Sequence, residues 1–351
     1  MNPHDLLVEA WRNVSSGTTR SLLSLAILGP LVLGLAWLDM EQVAAAQREA
    51  ATYRDGGGAT WVLASDGHVD GARCEALTGS PGVTTAGAMR SHPTPFIPRS
   101  TPRTSIPVYD ITPGLAHQLD PAYTTGIALD TETATALGIR PGDVLLGRDG
   151  NAVVTHTYTH PNDGRDQVLA YALTRATTPT GTYDQCRLAQ WPPDPATASV
   201  LLRATLTPGA DPARVRVSQL NPRLGDTLDA PQHFTDRPTR HAPLAAFALA
   251  AGITTAVTRL RRLELAAARH LGLSRTDVVA LLITETTLIG IPATLTATTA
   301  VAAYAATTHL DGLAPFGLRV LALALLGTLT GALLTALATT EAKLYQYFKT
   351  R

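Results

Sequence analysis

RLRRLELAAARHLGLSR, residues 259–275, carries five arginines and one acid, Glu264. On both sides the charge stops. Residues 242–258 hold no charged side chain, and 278–308 hold one, Glu285. A helix needs about 20 apolar residues to cross a hydrocarbon core of about 30 Å. On that measure the flanks are two membrane spans, at 241–258 and 276–308, with a short basic connector between them. The same reading gives a span at 21–38, SLLSLAILGPLVLGLAWL, and another at 317–340. The third segment is longer than required and is expected to tilt or project. The small residues of Val43–Gln47 would suit signal cleavage. The first apolar run, however, exceeds the 7–15 residues of a signal core, so it is read as a retained span.

Arginine placement orients the spans. Arg12 and Arg20 precede the first, the arginines of 259–275 separate the second and third, and Lys343, Lys349 and Arg351 follow the fourth. The amino terminus, the basic connector and the tail 341–351 are therefore expected in the cytoplasm of a multi-pass protein of the cell (plasma or inner) membrane. Residues 39–240 then lie outside. Residues 1–20 include NPHDLLVEAWRNV, with Leu6, Leu7, Ala10, Trp11 and Val14 on one face. That pattern predicts an amphipathic interfacial helix.

The outer region changes texture. LDMEQVAAAQREAATYRD continues the first span as a stalk, 39–58, that ends at Gly56-Gly57-Gly58. Short β-type runs follow, separated by Gly, Pro and Asp: 60–64, 83–88, 106–111, 143–146, 152–158, 168–174, 184–190 and 215–220. Two helices, 131–137 and 195–206, interrupt them. The fold class expected is an α-helical membrane protein with four transmembrane helices and a large α+β extracytoplasmic domain, 59–240, between the first and second. The proline-dense Ser91–Pro107 reads as a surface loop, with partner contact as the sharper alternative. Cys74 and Cys186 both fall outside, where disulfides persist; they form one bond or remain two thiols.

Charged residues are only 16% of the chain, against about 25% for a soluble protein, and the net charge is zero. Nothing in that balance calls for nucleic acid. A P-loop needs a lysine behind a glycine-rich turn, and both lysines sit in EAKLYQYFKTR, far from one. No G-x-S-x-G elbow or H-E-x-x-H pair is present. His156 and His160 could share a strand face, but no third ligand accompanies them, so no metal site is assigned and the pair reads as a solvated strand end. The chain is expected to be non-catalytic and to hold no cofactor. Glu285 is an intramembrane acid, costly unless it is paired or takes part in motion. Gly327 and Gly331 form a G-x-x-x-G pair suited to close helix approach, within this bundle or at a dimer seam.

In the connector, Leu260, Leu263, Ala267, His270 and Leu271 recur at spacings of three and four, giving a short helix with an apolar stripe and a charged back. Gly272 ends it, and Ser274 can cap the next helix. Simple membrane anchoring by arginines is one reading, and docking into a cytoplasmic protein is the other.

The run RRLELAAARHLGLSRTDVVALLITET resembles the R-x-E-I-G signature of the MacB/FtsX-type (type VII) ABC permeases, through Arg262, Glu264, Leu265, Gly272, Asp277 and Glu285. Ala266 replaces the usual Gly and Ala268 a frequent Arg. The order of one span, an outer domain and three spans is similar to that family, as is TTGIALDTETATALGIRPGDVLLG in the outer region. The resemblance implies a coupling helix made by Arg259, Arg261, Arg262, Leu263, Glu264, Ala267, His270, Leu271 and Gly272. It implies a separate dimeric ABC-type ATPase that holds ATP and Mg, a second permease subunit, identical or homologous, and mechanotransmission to the outer domain for export or extraction. An extracytoplasmic protein or lipoprotein would be the object of that work. The alternative is a membrane-anchored regulator or sensor whose outer domain binds a ligand or cell-wall hydrolase without transport.

Overall fold

The computed structural model describes residues 2–339; the expected tail, 341–351, and the last residue of the expected fourth span lie outside them. Helices α1 (Pro3–Ser15) and α2 (Ser21–Asp55) open the chain. Nine strands follow: β1 (Thr60–Asp70), β2 (Val83–Ser91), β3 (Val108–Ile111), β4 (Ile127–Asp130), β5 (Val144–Leu146), β6 (Asn151–Tyr158), β7 (Leu173–Ala176), β8 (Thr182–Gln190) and β9 (Arg216–Gln219). Among them lie α3 (Gly71–Ala76), α4 (Pro113–Leu119), α5 (Thr131–Leu137) and α6 (Pro195–Arg203). The chain continues with α7 (Ala230–Asp236), α8 (Ala242–Leu260), α9 (Arg262–His270), α10 (Arg275–Thr308) and α11 (Ala314–Ala338). Contacts divide it into two compact units, Met1–Arg48 with Ala230–Arg351, and Glu49–Asp229.

The first unit is helical. Among the described residues, four segments are long and apolar enough to cross a membrane: Ser21–Asp55, Ala230–Leu260, Arg275–Thr308 and Ala314–Ala338. Pro30 lies within α2 and Pro292 within α10, as membrane helices tolerate. The chain is thus an α-helical membrane protein with an α+β domain inserted between its first and second spans. Small residues bring α8 and α11 together. A Cβ on Gly327 would fall on the Phe247 carbonyl, and one on Gly331 would come within 2.5 Å of the Ala251 carbonyl oxygen. The G-x-x-x-G pair therefore faces α8 of the same chain, where backbones meet.

The second unit is one mixed sheet in the order β5-β6-β4-β7-β3-β2-β8-β1-β9. The β3–β7 and β4–β6 pairs are parallel and the rest antiparallel. On one face α3 and α6 cover a core of Trp61, Leu63, Ala88, Leu188 and Leu202. There Cys74 of α3 is bonded to Cys186 of β8, 112 residues further on. On the other face α4 settles on β2, where Gly87 meets the Leu115 amide and Gly114 the Ala86 carbonyl so closely that neither position has room for a Cβ. Gly87→Ala is expected to cost about 3 kcal/mol, the upper end of the overpacking range, because backbone must yield rather than a side chain. Urea unfolding of the domain followed by tryptophan fluorescence measures it.

Several readings of this unit are corrected. Residues 168–172 are not strand. Tyr171 takes φ 58°, and the Leu169 and Ala172 carbonyls accept from the buried Tyr158 hydroxyl at 2.8 and 3.0 Å. The continuous apolar run there, VLAYAL, reflects a buried loop rather than a ladder. The expected helix 195–206 stops at Arg203, and β1 runs on to Asp70 across an irregularity after Ala64. The stalk helix ends at Asp55, before the glycines of 56–58. His160 is not solvated: it is buried, its Nε2 lies 2.7 Å from the Asp166 carbonyl oxygen, and burial holds its pKa below the usual histidine value. Among the described residues no cluster of His, Cys, Asp and Glu could hold a metal.

Candidate functional site

The basic connector breaks into two helices at Arg261, which ends α8 and opens α9 with φ −97° and ψ 6°. That bend turns the Arg261 side chain inward, and the residue is only 6% exposed. Its Nη1 donates to Glu285 Oε2 of α10 at 2.7 Å, and its Nη2 reaches Oε1 at 3.4 Å. Its Nε donates to Glu264 Oε2 at 3.3 Å. From α1, Asn13 Nδ2 donates to Glu285 Oε1 at 2.7 Å. Three parts of the chain, α1, the α8–α9 bend and α10, therefore converge on one carboxylate. A buried cation and acid are tolerated because each satisfies the other, and removing one partner leaves a stranded charge.

Helix α9 has two faces. Leu265 and Ala266 are buried, with Leu265 packed against Val278, Leu282 and Ala336 of α10 and α11. Arg269 Nη1 donates to the Thr339 carbonyl at 2.7 Å, at the end of α11 where carbonyls lack helical partners. The opposite face is open. Arg259, Leu260, Glu264, Ala267, His270, Leu271 and Gly272 are exposed, Leu271 by 86%, while Arg262 and Leu263 are intermediate. The apolar stripe read from the sequence is thus the outward face, and the charged back holds a buried arginine. Gly272 takes φ 107° and ends the connector. Ser274 and Asp277 then form a capping box that starts α10.

Sequence reasoning singled out Arg261 and Glu285 but did not pair them, and it missed Asn13. It also missed a second buried pair. Asp39 of α2 is 1% exposed, and its Oδ1 accepts from Arg237 Nε at 3.1 Å. The Arg237 guanidinium lies over the Phe234 ring at 4.4 Å and near Phe316 at 5.3 Å. The available signal was that Asp39 is the first charge after the first apolar run and Arg237 nearly the last before the second. Cys74 and Cys186, in the inserted domain, take no part in this site.

Residues 242–350 match the family model described as FtsX-like permease C-terminal. That segment contains α8 to α11 together with the Arg261 bend, and over it the chain is similar to the FtsX-like permeases. No curated protein matches the chain. Among solved structures, the crystal structure of the periplasmic region of MacB from Actinobacillus actinomycetemcomitans is similar at 11% identity, over 49% of this chain and 94% of that one. Its TM-score is 0.35.

Proposed function

We infer that this chain is the transmembrane subunit of an ABC complex in which a separate ATPase pair, holding ATP and Mg, presses on the open face of α9. The observation that carries this reading is the split character of α9. One face is fixed to α10 and α11, and the other offers Leu260, Leu263, Ala267 and Leu271 flanked by Arg259, Glu264 and His270. An isolated basic anchor would need only the arginines. Here an apolar stripe is left uncovered, as a helix that docks into a protein groove requires.

A push on α9 reaches α10 through Arg261 and Glu285, and α1 through Asn13. Helix α2, unbroken from Ser21 to Asp55, is the covalent route to the inserted domain. Arginine distribution supports a cytoplasmic α9, amino terminus and carboxy-terminal tail, with the inserted domain on the other side of the membrane. The Cys74–Cys186 bond supports an oxidising surrounding for that domain. The work done would be export, extraction or mechanotransmission by a pair of permease subunits acting on a molecule outside the cell membrane.

Co-purification with the ATPase, and ATP turnover of the resulting complex, test the reading. Leu271→Asp changes a side chain that holds nothing in the fold, so stability is expected to remain within about 0.5 kcal/mol. ATPase association is expected to fall at least tenfold, about 1.4 kcal/mol. Unchanged association and turnover would favour the anchored regulator instead.

A further inference from the structure

Between α2 and the other three spans lies a half-open cavity of about 470 Å³. Leu25, Gly29 and Leu33 of α2 form one wall, and Thr254, Ile289 and Ala293 stand among the residues opposite. One end reaches Thr19 and the Arg261–Glu285 pair. The cavity is larger than packing defects allow. Protein interiors rarely leave voids wider than a water molecule, and an engineered apolar cavity of about 150 Å³ already stays dry and takes up benzene. Ligand pockets begin at about 300 Å³. Nor is the bundle loose in general, since α8 and α11 meet backbone to backbone at Gly327 and Gly331. Beside α2 the opposite holds: a Cβ added to Gly29 would meet no atom within 4 Å.

The walls are more apolar than their sequence. Thr286, Thr294 and Thr328 donate to their own helices' carbonyls at 2.7 Å each, at Leu282, Gly290 and Leu325, so those hydroxyl protons are already used within the helices. Polar groups gather at the end marked by Thr19, Ser21 and Ser24. Arg261 at that end already faces two carboxylates, Glu285 and Glu264, so no net positive charge is offered there.

We propose that the cavity is a lipid site, in which one acyl chain of a bilayer phospholipid lies between α2 and α10 with its polar end toward Thr19 and Arg261. The space lies within membrane spans, where the surrounding medium is hydrocarbon, and it joins an apolar bore to one polar end, as an amphiphile does. A zwitterionic headgroup suits that end better than an anionic one. The inference rests on the spans alone and is independent of the ATPase reading.

The test uses the full chain in nanodiscs containing phosphatidylethanolamine with a diazirine midway along one acyl chain, followed by irradiation and peptide mapping. Label is expected to concentrate in residues 25–33 and 286–297. Gly29→Phe, which fills the bore, is expected to reduce it several-fold, and Ala293→Phe from the opposite wall to do the same. Gly34→Phe is the control, because Gly34 also has open space but does not line the cavity. Label spread evenly over the outward-facing Leu22, Leu334 and Leu337, and indifferent to both filling variants, overturns the proposal. So does a photoreactive leucine analogue at position 25 that links two copies of the chain while the lipid leaves these walls unlabelled.

Discussion

Glu285→Ala destabilises the helical unit by about 3–5 kcal/mol, the cost of stranding a buried arginine. The residue lies among apolar neighbours, and its carboxylate is the common acceptor for Arg261 and Asn13. Exposed Glu264 cannot take its place, since its single contact with Arg261 is at 3.3 Å. The double replacement Arg261→Met with Glu285→Met is expected to behave differently. Removing both charges together restores stability to within about 1 kcal/mol of the starting protein, because a buried ion pair is often no better than well-packed apolar groups. If the pair transmits force, the double variant stays folded while ATP turnover no longer responds to the inserted domain. Thermal unfolding in nanodiscs gives the first quantity, and turnover with and without an intact inserted domain gives the second. A double variant that folds and couples normally would reduce the pair to a structural role.

Replacing Cys74 and Cys186 together with serine is expected to lower the stability of the inserted domain by about 2–5 kcal/mol, the usual cost of losing a native bond that closes a long loop. The bond ties α3 to β8, an interior strand of the sheet, across 112 residues, so without it the unfolded chain regains the freedom of most of the domain. Denaturant unfolding with and without reductant measures the difference, with Gly87→Ala as a reference that leaves the bond in place. Alkylation before reduction supplies a check on sidedness: if the domain faces an oxidising compartment, neither thiol is modified in intact cells.

How far the sequence could be read depended on how local each signal was. The spans were legible because long uncharged runs have few alternatives, and observed bounds such as Arg275–Thr308 and Ala242–Leu260 differ from the reading by a residue or two. Helix α5 was read over its observed bounds, 131–137; the structure adds that Asp130 caps its start and that Gly138 takes the left-handed region at its finish. Strand β4 was not, because four residues, IALD, carry too little periodicity to stand out beside the turn before them. Residues 168–172 misled for the converse reason, since a short continuous apolar run suits a buried loop as well as a buried strand. At the candidate site each residue type was visible, but the partnership was not. Arg261 and Glu285 are 24 positions apart and Asn13 is 272 from Glu285, and no local rule spans such intervals. The burial of Arg187 in β8, with Asp166 Oδ2 at 3.6 Å, left no trace in the sequence for the same reason.

Helix α8 is fixed by charge at both ends. Arg237, five residues before its start, is bound to Asp39, and Arg261, just past its end, is bound to Glu285. Its 19 residues span about 28 Å at 1.5 Å each, close to the thickness of a hydrocarbon core. A piston stroke of one helical turn, about 5.4 Å, would tear both guanidiniums from their acids and drag one of them into oil. Rocking or swivelling keeps both pairs closed. The two rivets therefore leave this span free to lean and forbid it to slide.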